Sequence, residues 1–314
     1  MKKTRYMKWD DVDTSEFGKL SLRIRHRVHE TELFSDDQLA KLIENSPRQN
    51  YHVETMQPKE DGTFLRREGE TGDVGGHEAL EAVKHGSIWY LLLHPEEVDP
   101  RYGDLVGEIY EEIAANVPDF HVFSKKISIL VSSPNIKVGY HCDVPGQTLW
   151  QVRGSKKVYV YPVKSPFLAQ TNLEKIILKE ANEVSLPYEE SFDEHATVYD
   201  LQPGEMLHWP LNAPHRVTNN DCLNVSFTTE HTTEATRRSY IVNYANGVLR
   251  RTFGVGRLSQ RPQGLGYWAK YGLAGAYRVS GMEKQRSAGF AIDFKVDPSK
   301  PRGIQDIPGY ELRK

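Results

Sequence analysis

Residues 138–162 read VGYHCDVPGQTLWQVRGSKKVYVYP. Three runs rich in β-branched and aromatic residues stand out: Val138–Asp143, Thr148–Arg153 and Val158–Pro162. Such residues suit a pleated, half-buried strand. The Val-Pro-Gly and Arg-Gly-Ser steps between them suit turns, because Pro fixes φ and Gly admits positive φ. The rhythm continues outward. Ile127–Val131 precedes it, and Thr197–Leu201, Met206–Trp209, His215–Thr218 and Leu223–Thr228 follow. Ser-Ser-Pro-Asn, Gln-Pro-Gly and Asn-Asn-Asp turns lie between. Eight short strands so spaced predict a sandwich or jelly roll.

Flanking segments read differently. Ser35 is a natural N-cap with Gln38 three residues on, and Leu39, Leu42 and Ile43 form a helical stripe that Pro47 ends. Residues 57–76, rich in Gly, Glu and Thr, read as a loop. Helices are expected over His77–His85 and Asp104–Asn116. An acidic insertion at 165–195 carries one expected helix, Leu173–Glu180. Beyond residue 231 a helix over Thr233–Leu249 places Tyr240, Ile241, Tyr244, Val248 and Leu249 on one stripe, a core or dimer face. The Gly-, Tyr- and Arg-rich stretch after it has no clear period. Three segments result: 1–119 of helices and strands packing on the core, 120–231 as the β core, and 232–314 as a basic, partly helical extension.

The 314 residues are 38% apolar and 26% charged, with a net charge of −3. A chain of this length buries about 75% of its unfolded surface and needs no disulfides. The two cysteines, Cys142 and Cys222, are too few for a disulfide scaffold and read as small buried hydrophobes. The charged N-terminus lacks an apolar signal segment, and the longest apolar run, Ile88–Leu93, is far short of the ~20 residues of a membrane span. A cytoplasmic protein is expected. Charge is uneven: residues 232–314 hold 15 Lys and Arg against 6 Asp and Glu. That excess reads either as a solvated extension packing on an acidic body or as a face for an anionic partner, without any recognisable RNA-binding motif.

The chemistry concentrates in Tyr140-His141-Cys142-Asp143. On a strand, His141 and Asp143 share a face. His215, which opens a later strand, is the candidate third ligand. Two imidazoles and one carboxylate leave metal positions open, the pattern of non-haem Fe(II) oxygenases. Three blocks carry a resemblance to the cupin-like, JmjC-type 2-oxoglutarate oxygenases, among them the asparaginyl hydroxylase that acts on hypoxia-inducible factor. They are His141-Cys142-Asp143, Gln151-Val152-Arg153-Gly154-Ser155-Lys156, and Pro203-Gly204-Glu205 with Pro210 and His215 downstream. The resemblance covers roughly residues 85–230.

It implies a double-stranded β-helix, cupin-like core that is mainly β with flanking helices. It implies Fe(II) held by His141, Asp143 and His215, 2-oxoglutarate as cosubstrate and O2 as oxidant. Lys156 stands where the family binds the distal carboxylate, by a charge-assisted hydrogen bond. Gln147 and Ser226 match positions where the family places polar groups near the cosubstrate and metal, and Tyr90 resembles its tyrosine that helps hold the distal carboxylate. Ser226 replaces the more familiar Asn, and Val138 stands where many relatives carry a hydroxyl. The implied reaction is hydroxylation of a C–H bond in a small metabolite, sugar, amino-acid or protein substrate. A homodimer through the C-terminal helices is implied by the same analogy. Two other readings stay open: a non-catalytic, cupin-like binding or regulatory module, and a cupin isomerase using the metal as a Lewis acid, for which His208 would supply a further ligand. His208 otherwise reads as a packed or substrate-facing residue, and Arg153 as either solvated, salt-bridged or facing an anionic substrate.

Overall fold

The computed structural model describes residues 4–58, 64–281 and 290–312. Six α-helices and fourteen strands are defined among the described residues. The strands are β1 Leu22–Arg25, β2 Tyr51–Pro58, β3 Phe64–Glu70, β4 Ile88–Leu93, β5 Val122–Ser132, β6 Lys137–His141, β7 Gly146–Arg153, β8 Lys156–Val160, β9 Thr197–Leu201, β10 Glu205–His208, β11 His215–Asn219, β12 Asn224–Thr233, β13 Phe290–Val296 and β14 Ile304–Leu312. The helices are α1 Asp36–Asn45, α2 Gly76–His85, α3 Arg101–Asn116, α4 Gln170–Ile177, α5 Glu234–Phe253 and α6 Leu265–Val279.

From β5 to β12 the chain passes back and forth between two sheets. The large sheet has the order β1-β10-β7-β12-β5-β4-β2-β3-β13-β14, and the small one β6-β11-β8-β9. Pairing is antiparallel except between β3 and β13. The described strands form these two sheets and do not close into one barrel. The result is a mixed α/β protein around a mainly antiparallel core of the double-stranded β-helix type.

Alternation along the strands assigns the faces. On β12, Val225 and Phe227 join the larger apolar core, with Leu39 and Leu42 of α1, Leu80 and Val83 of α2, and Ile109 and Ile113 of α3. Asn224 and Ser226, also buried, face the small sheet instead. Between the sheets lie Leu149, Val158, Val160, Leu201 and Leu207. Asn219 of β11 donates to Ser132 Oγ of β5 at 2.8 Å, tying the two sheets.

The turns behave as their residues dictate. Ser35 caps α1 by accepting from Gln38 N. Gly154 has φ +69°, and the Leu223 carbonyl occupies the space a side chain would need. That is the physical content of the glycine in Gln-x-x-Gly-x-Lys.

Two expectations need correction. The 57–76 loop is largely strand: β2 runs to Pro58 and β3 begins at Phe64, while 59–63 lie outside the described residues. In β3, Arg66 and Glu68 carry charge on the face that pairs them with Glu54 and His52, so hydropathy does not reveal the strand. Gly69 is required because a side chain there would collide with the Phe294 ring. Second, the strand bearing His141 ends at that residue, so Asp143 does not share it. Within the C-terminal segment, α5 and α6 are followed by β13 and β14, which complete the large sheet.

Part of the basic charge is engaged in ion pairs. Arg250 and Arg251 pair with Glu174 and Glu180 of the acidic insertion, and Arg238 pairs with Glu234. No helix among the described residues is long and apolar enough to cross a membrane.

Candidate metal and cosubstrate site

His141 closes β6 and His215 opens β11, and the two residues pair directly across the strands. Their ring centroids lie 4.1 Å apart. A register shift between His215 and Val217 marks a bulge next to this pair, a device that re-aims side chains. Asp143 follows in the turn toward β7. Asn212 Nδ2 donates to the Asp143 carbonyl at 2.6 Å, which holds that turn. His215 Nε2 then lies 3.4 Å from Asp143 Oδ2. One ligand atom from each of His141, Asp143 and His215 falls within 4.8 Å of the others. The expected trio therefore converges, through a strand pair and an anchored turn rather than through period-two alternation.

Both imidazoles are oriented. Nδ1 of His141 donates to the Gly139 carbonyl at 2.8 Å, and Nδ1 of His215 to the Ala213 carbonyl at 3.0 Å. A carbonyl can only accept, so each Nε2 is left with its lone pair for a metal. Trp209 lies against His215, with centroids 4.5 Å apart. Burial lowers the pKa of both histidines, and His141 lowers that of His215 further. Burial raises Asp143 well above the usual carboxylate range, reinforced by the charges of Glu183 and Glu230. Neutral imidazoles beside a carboxyl group that resists ionising form a donor set that a divalent cation would stabilise.

Lys156 opens β8 on the inner face, with Val158 and Val160, and is 3% exposed. Its Nζ donates to Ser226 Oγ at 2.9 Å. Burial lowers its pKa to about 7. Val160 pairs with His215, so Lys156 sits four residues, roughly 13 Å of strand, from the histidine level. A lysine side chain, a five-carbon diacid and an imidazole together span such a gap. Leu91 and Leu130 share the row of Ser226 and make the wall apolar there.

Gln147 lies at the metal end of the neighbourhood expected for it. With its amide nitrogen turned toward Asp143, it donates to Oδ1 at 3.0 Å and also to Oδ2. It orients a ligand rather than the cosubstrate. Tyr90 is a clear correction. Its neighbours Val53 and Val131 place it on the helix-covered face of the large sheet, with its hydroxyl on Thr71 Oγ1 at 3.1 Å. Its strand neighbour Leu91 has the parity that faces the site.

His208 is packed. Its ring stacks on Phe17 at 4.0 Å, and both nitrogens are used, by the Gln147 carbonyl and Gly18 N–H. Arg153 is salt-bridged to Asp36 at 2.6 Å. Cys142 is fully buried and Cys222 partly so. Sequence reasoning missed Asn212, Trp209 and the Gly139 and Ala213 carbonyls. Only the Asn212-Ala213-Pro214 turn before His215 could have signalled any of them.

A second cluster, His52, Glu54 and Glu68, also has ligand-like spacing. Its carboxylates are already engaged: Glu54 by a bidentate Arg66, and Glu68 by His52 at 2.7 Å and Arg48 at 3.5 Å. Two guanidinium groups neutralise the two acids, so this is an internal ion-pair network.

No protein-family model and no curated protein matches the chain. Solved structures do. The X-ray structure of Escherichia coli YcfD aligns with a TM-score of 0.51 at 17% identity, over 89% of this chain and 69% of that one. Another, described as the E. coli ribosomal oxygenase YcfD, gives 0.48 at 16% over 89% and 68%. A third, of YcfD with cobalt and 2-oxoglutarate, gives 0.49 at 16% over 88% and 68%. The likeness of the first establishes a shared fold and no more than that.

Proposed function

We propose that this chain is an Fe(II)- and 2-oxoglutarate-dependent oxygenase that hydroxylates a C–H bond of a metabolite, sugar or amino-acid side chain. One observation carries the reading. A His-Asp-His set whose Nδ1 atoms are both taken by backbone carbonyls, turning each Nε2 toward the ligand cluster, shares the space between the sheets with a buried lysine whose described side-chain partner is a single hydroxyl. An ammonium has three donors, and burying it with one partner is costly unless an anion completes the site. The YcfD likeness agrees in fold and adds no more than that.

Bound iron would supply the oxygen-activating chemistry. The residues of this chain do the rest. His141, Asp143 and His215 would hold the ion and leave its remaining positions to ligands. The Gly139 and Ala213 carbonyls fix the imidazole tautomers, and Gln147 and Asn212 fix the aspartate. Lys156 and Ser226 would receive the far carboxylate of the cosubstrate. Leu91 and Leu130 would line the wall beside Ser226.

The test is metal retention and cosubstrate turnover. Anaerobic dialysis against Fe(II) should leave one equivalent on the wild type and none on Asp143→Ala or His141→Ala. Wild-type protein with iron, air and 2-oxoglutarate should then form succinate slowly without added substrate. Retained iron with no cosubstrate binding would favour a non-catalytic module instead.

A further inference from the structure

Gln151 of β7 is fully buried, and its side-chain oxygen has no partner among the described residues. Leu149, two residues earlier, lies between the sheets, while Trp150 and Val152 belong to the helix-covered core. Alternation therefore turns Gln151 toward the space between the sheets. Its amide nitrogen is occupied. Nε2 donates to the Arg153 and Gly154 carbonyls at 2.7 and 2.9 Å and to Asn224 Oδ1 at 2.8 Å. Reversing the amide would set Oε1 against three acceptors, so its orientation is fixed. A buried acceptor left unpaired costs stability.

A shortage of the opposite kind lies beside it. Lys156 Nζ, also buried, carries three protons when charged and gives one to Ser226 Oγ at 2.9 Å. Ser226 and Gln151 are direct cross-strand partners, which sets their β-carbons about 5 Å apart on one face. The lysine and the amide thus meet the same serine, one by a hydrogen bond and one by strand pairing. The two carbonyls that Nε2 grips belong to the turn from β7 into Lys156, the first residue of β8.

We propose that Gln151 is a positioning residue for Lys156: Nε2 fixes the turn from which the lysine starts, and Oε1 takes one proton of its ammonium. Three donors then have three acceptors, Ser226, Gln151 and the far carboxylate of the cosubstrate. That last assignment rests on the oxygenase reading, whereas the contact between lysine and amide does not.

The test follows the titration of Lys156 by NMR in the full chain carrying 13Cε-lysine, without cosubstrate, its resonance identified by its loss in Lys156→Met. Gln151→Met removes the acceptor and keeps the volume. It should lower the midpoint by roughly one to two pH units, the equivalent of one hydrogen bond to an ionised group. Gln151→Glu keeps an oxygen toward Lys156 and loses the amide donors, so its midpoint should stay at the wild-type value or rise. With Mn(II) bound, Gln151→Met should bind 2-oxoglutarate roughly 10–100-fold more weakly at pH 8.5, where the free lysine is neutral, with most of that loss gone at pH 6. A role in the turn alone would weaken binding equally at every pH. An unmoved midpoint in Gln151→Met, or an equal fall in Gln151→Met and Gln151→Glu, would overturn the proposal. Midpoints that move as stated in a protein that binds no 2-oxoglutarate would uphold the contact and remove the oxygenase reading.

Discussion

Lys156 provides a test that reads chemistry and stability at once. Burial holds its pKa near about 7, against a usual lysine value above 10. Binding a carboxylate beside Nζ would require the charged form. Above pH 7 the empty site carries a neutral amine, so cosubstrate binding must take up a proton. With a free-site pKa of about 7, the apparent Kd for 2-oxoglutarate should rise roughly 25-fold between pH 6.5 and 8.5. Calorimetry at saturating Mn(II), in buffers of different ionisation enthalpy, should show about one proton taken up per ligand at pH 8.5 and much less at 6.5. Lys156→Met should abolish both the slope and most of the affinity. The same variant should be more stable without ligand. A lysine whose folded pKa is depressed destabilises the fold fully below pH 7, and the penalty fades as pH rises toward 10. Removing it at pH 7 should therefore add several kcal/mol. An affinity that stays flat over this range, or a Lys156→Met protein that still binds 2-oxoglutarate normally, would refute this role.

Other substitutions test particular contacts. Tyr90→Phe should leave 2-oxoglutarate affinity unchanged by calorimetry, because the ring lies behind the sheet, and should cost about 1 kcal/mol in urea unfolding through the lost Thr71 bond. Gln147→Ala should weaken metal binding by roughly 10–100-fold in a Mn(II) titration, as loss of a ligand-orienting group does. Glu112 is fully buried and accepts from Tyr6 N, Met7 N and Trp9 Nε1 at 2.7–3.0 Å. Glu112→Ala removes the acceptor these three donors share and should cost about 3 kcal/mol or more by the same unfolding assay.

The strand series from Ile127 to Thr228 was legible because turn residues punctuate it and apolar residues alternate within it. The helices at Asp36, Gly76 and Arg101 were legible from caps and stripes. The metal trio was reached from spacing and resemblance, although its geometry differs from the strand-face picture. The bulge beside His215 and the Asn212 anchor are tertiary devices, and they leave no local pattern. β3 was hidden because its inward face is charged and pairs with β2. β13 pairs locally with β14, but the strand that joins this hairpin to the large sheet, β3, is more than two hundred residues away. The covered side of α6 was obscured by an exposed side that is equally apolar. Tyr90 was misplaced by one residue of strand parity, and a single step moves a side chain through the sheet.

The most direct measurement is an anaerobic optical titration with Fe(II) followed by 2-oxoglutarate. A visible charge-transfer band that needs both additions, and is lost in His141→Ala and in Lys156→Met, is the expected result. Iron bound in full with no band on adding 2-oxoglutarate would contradict an oxygenase site between the sheets.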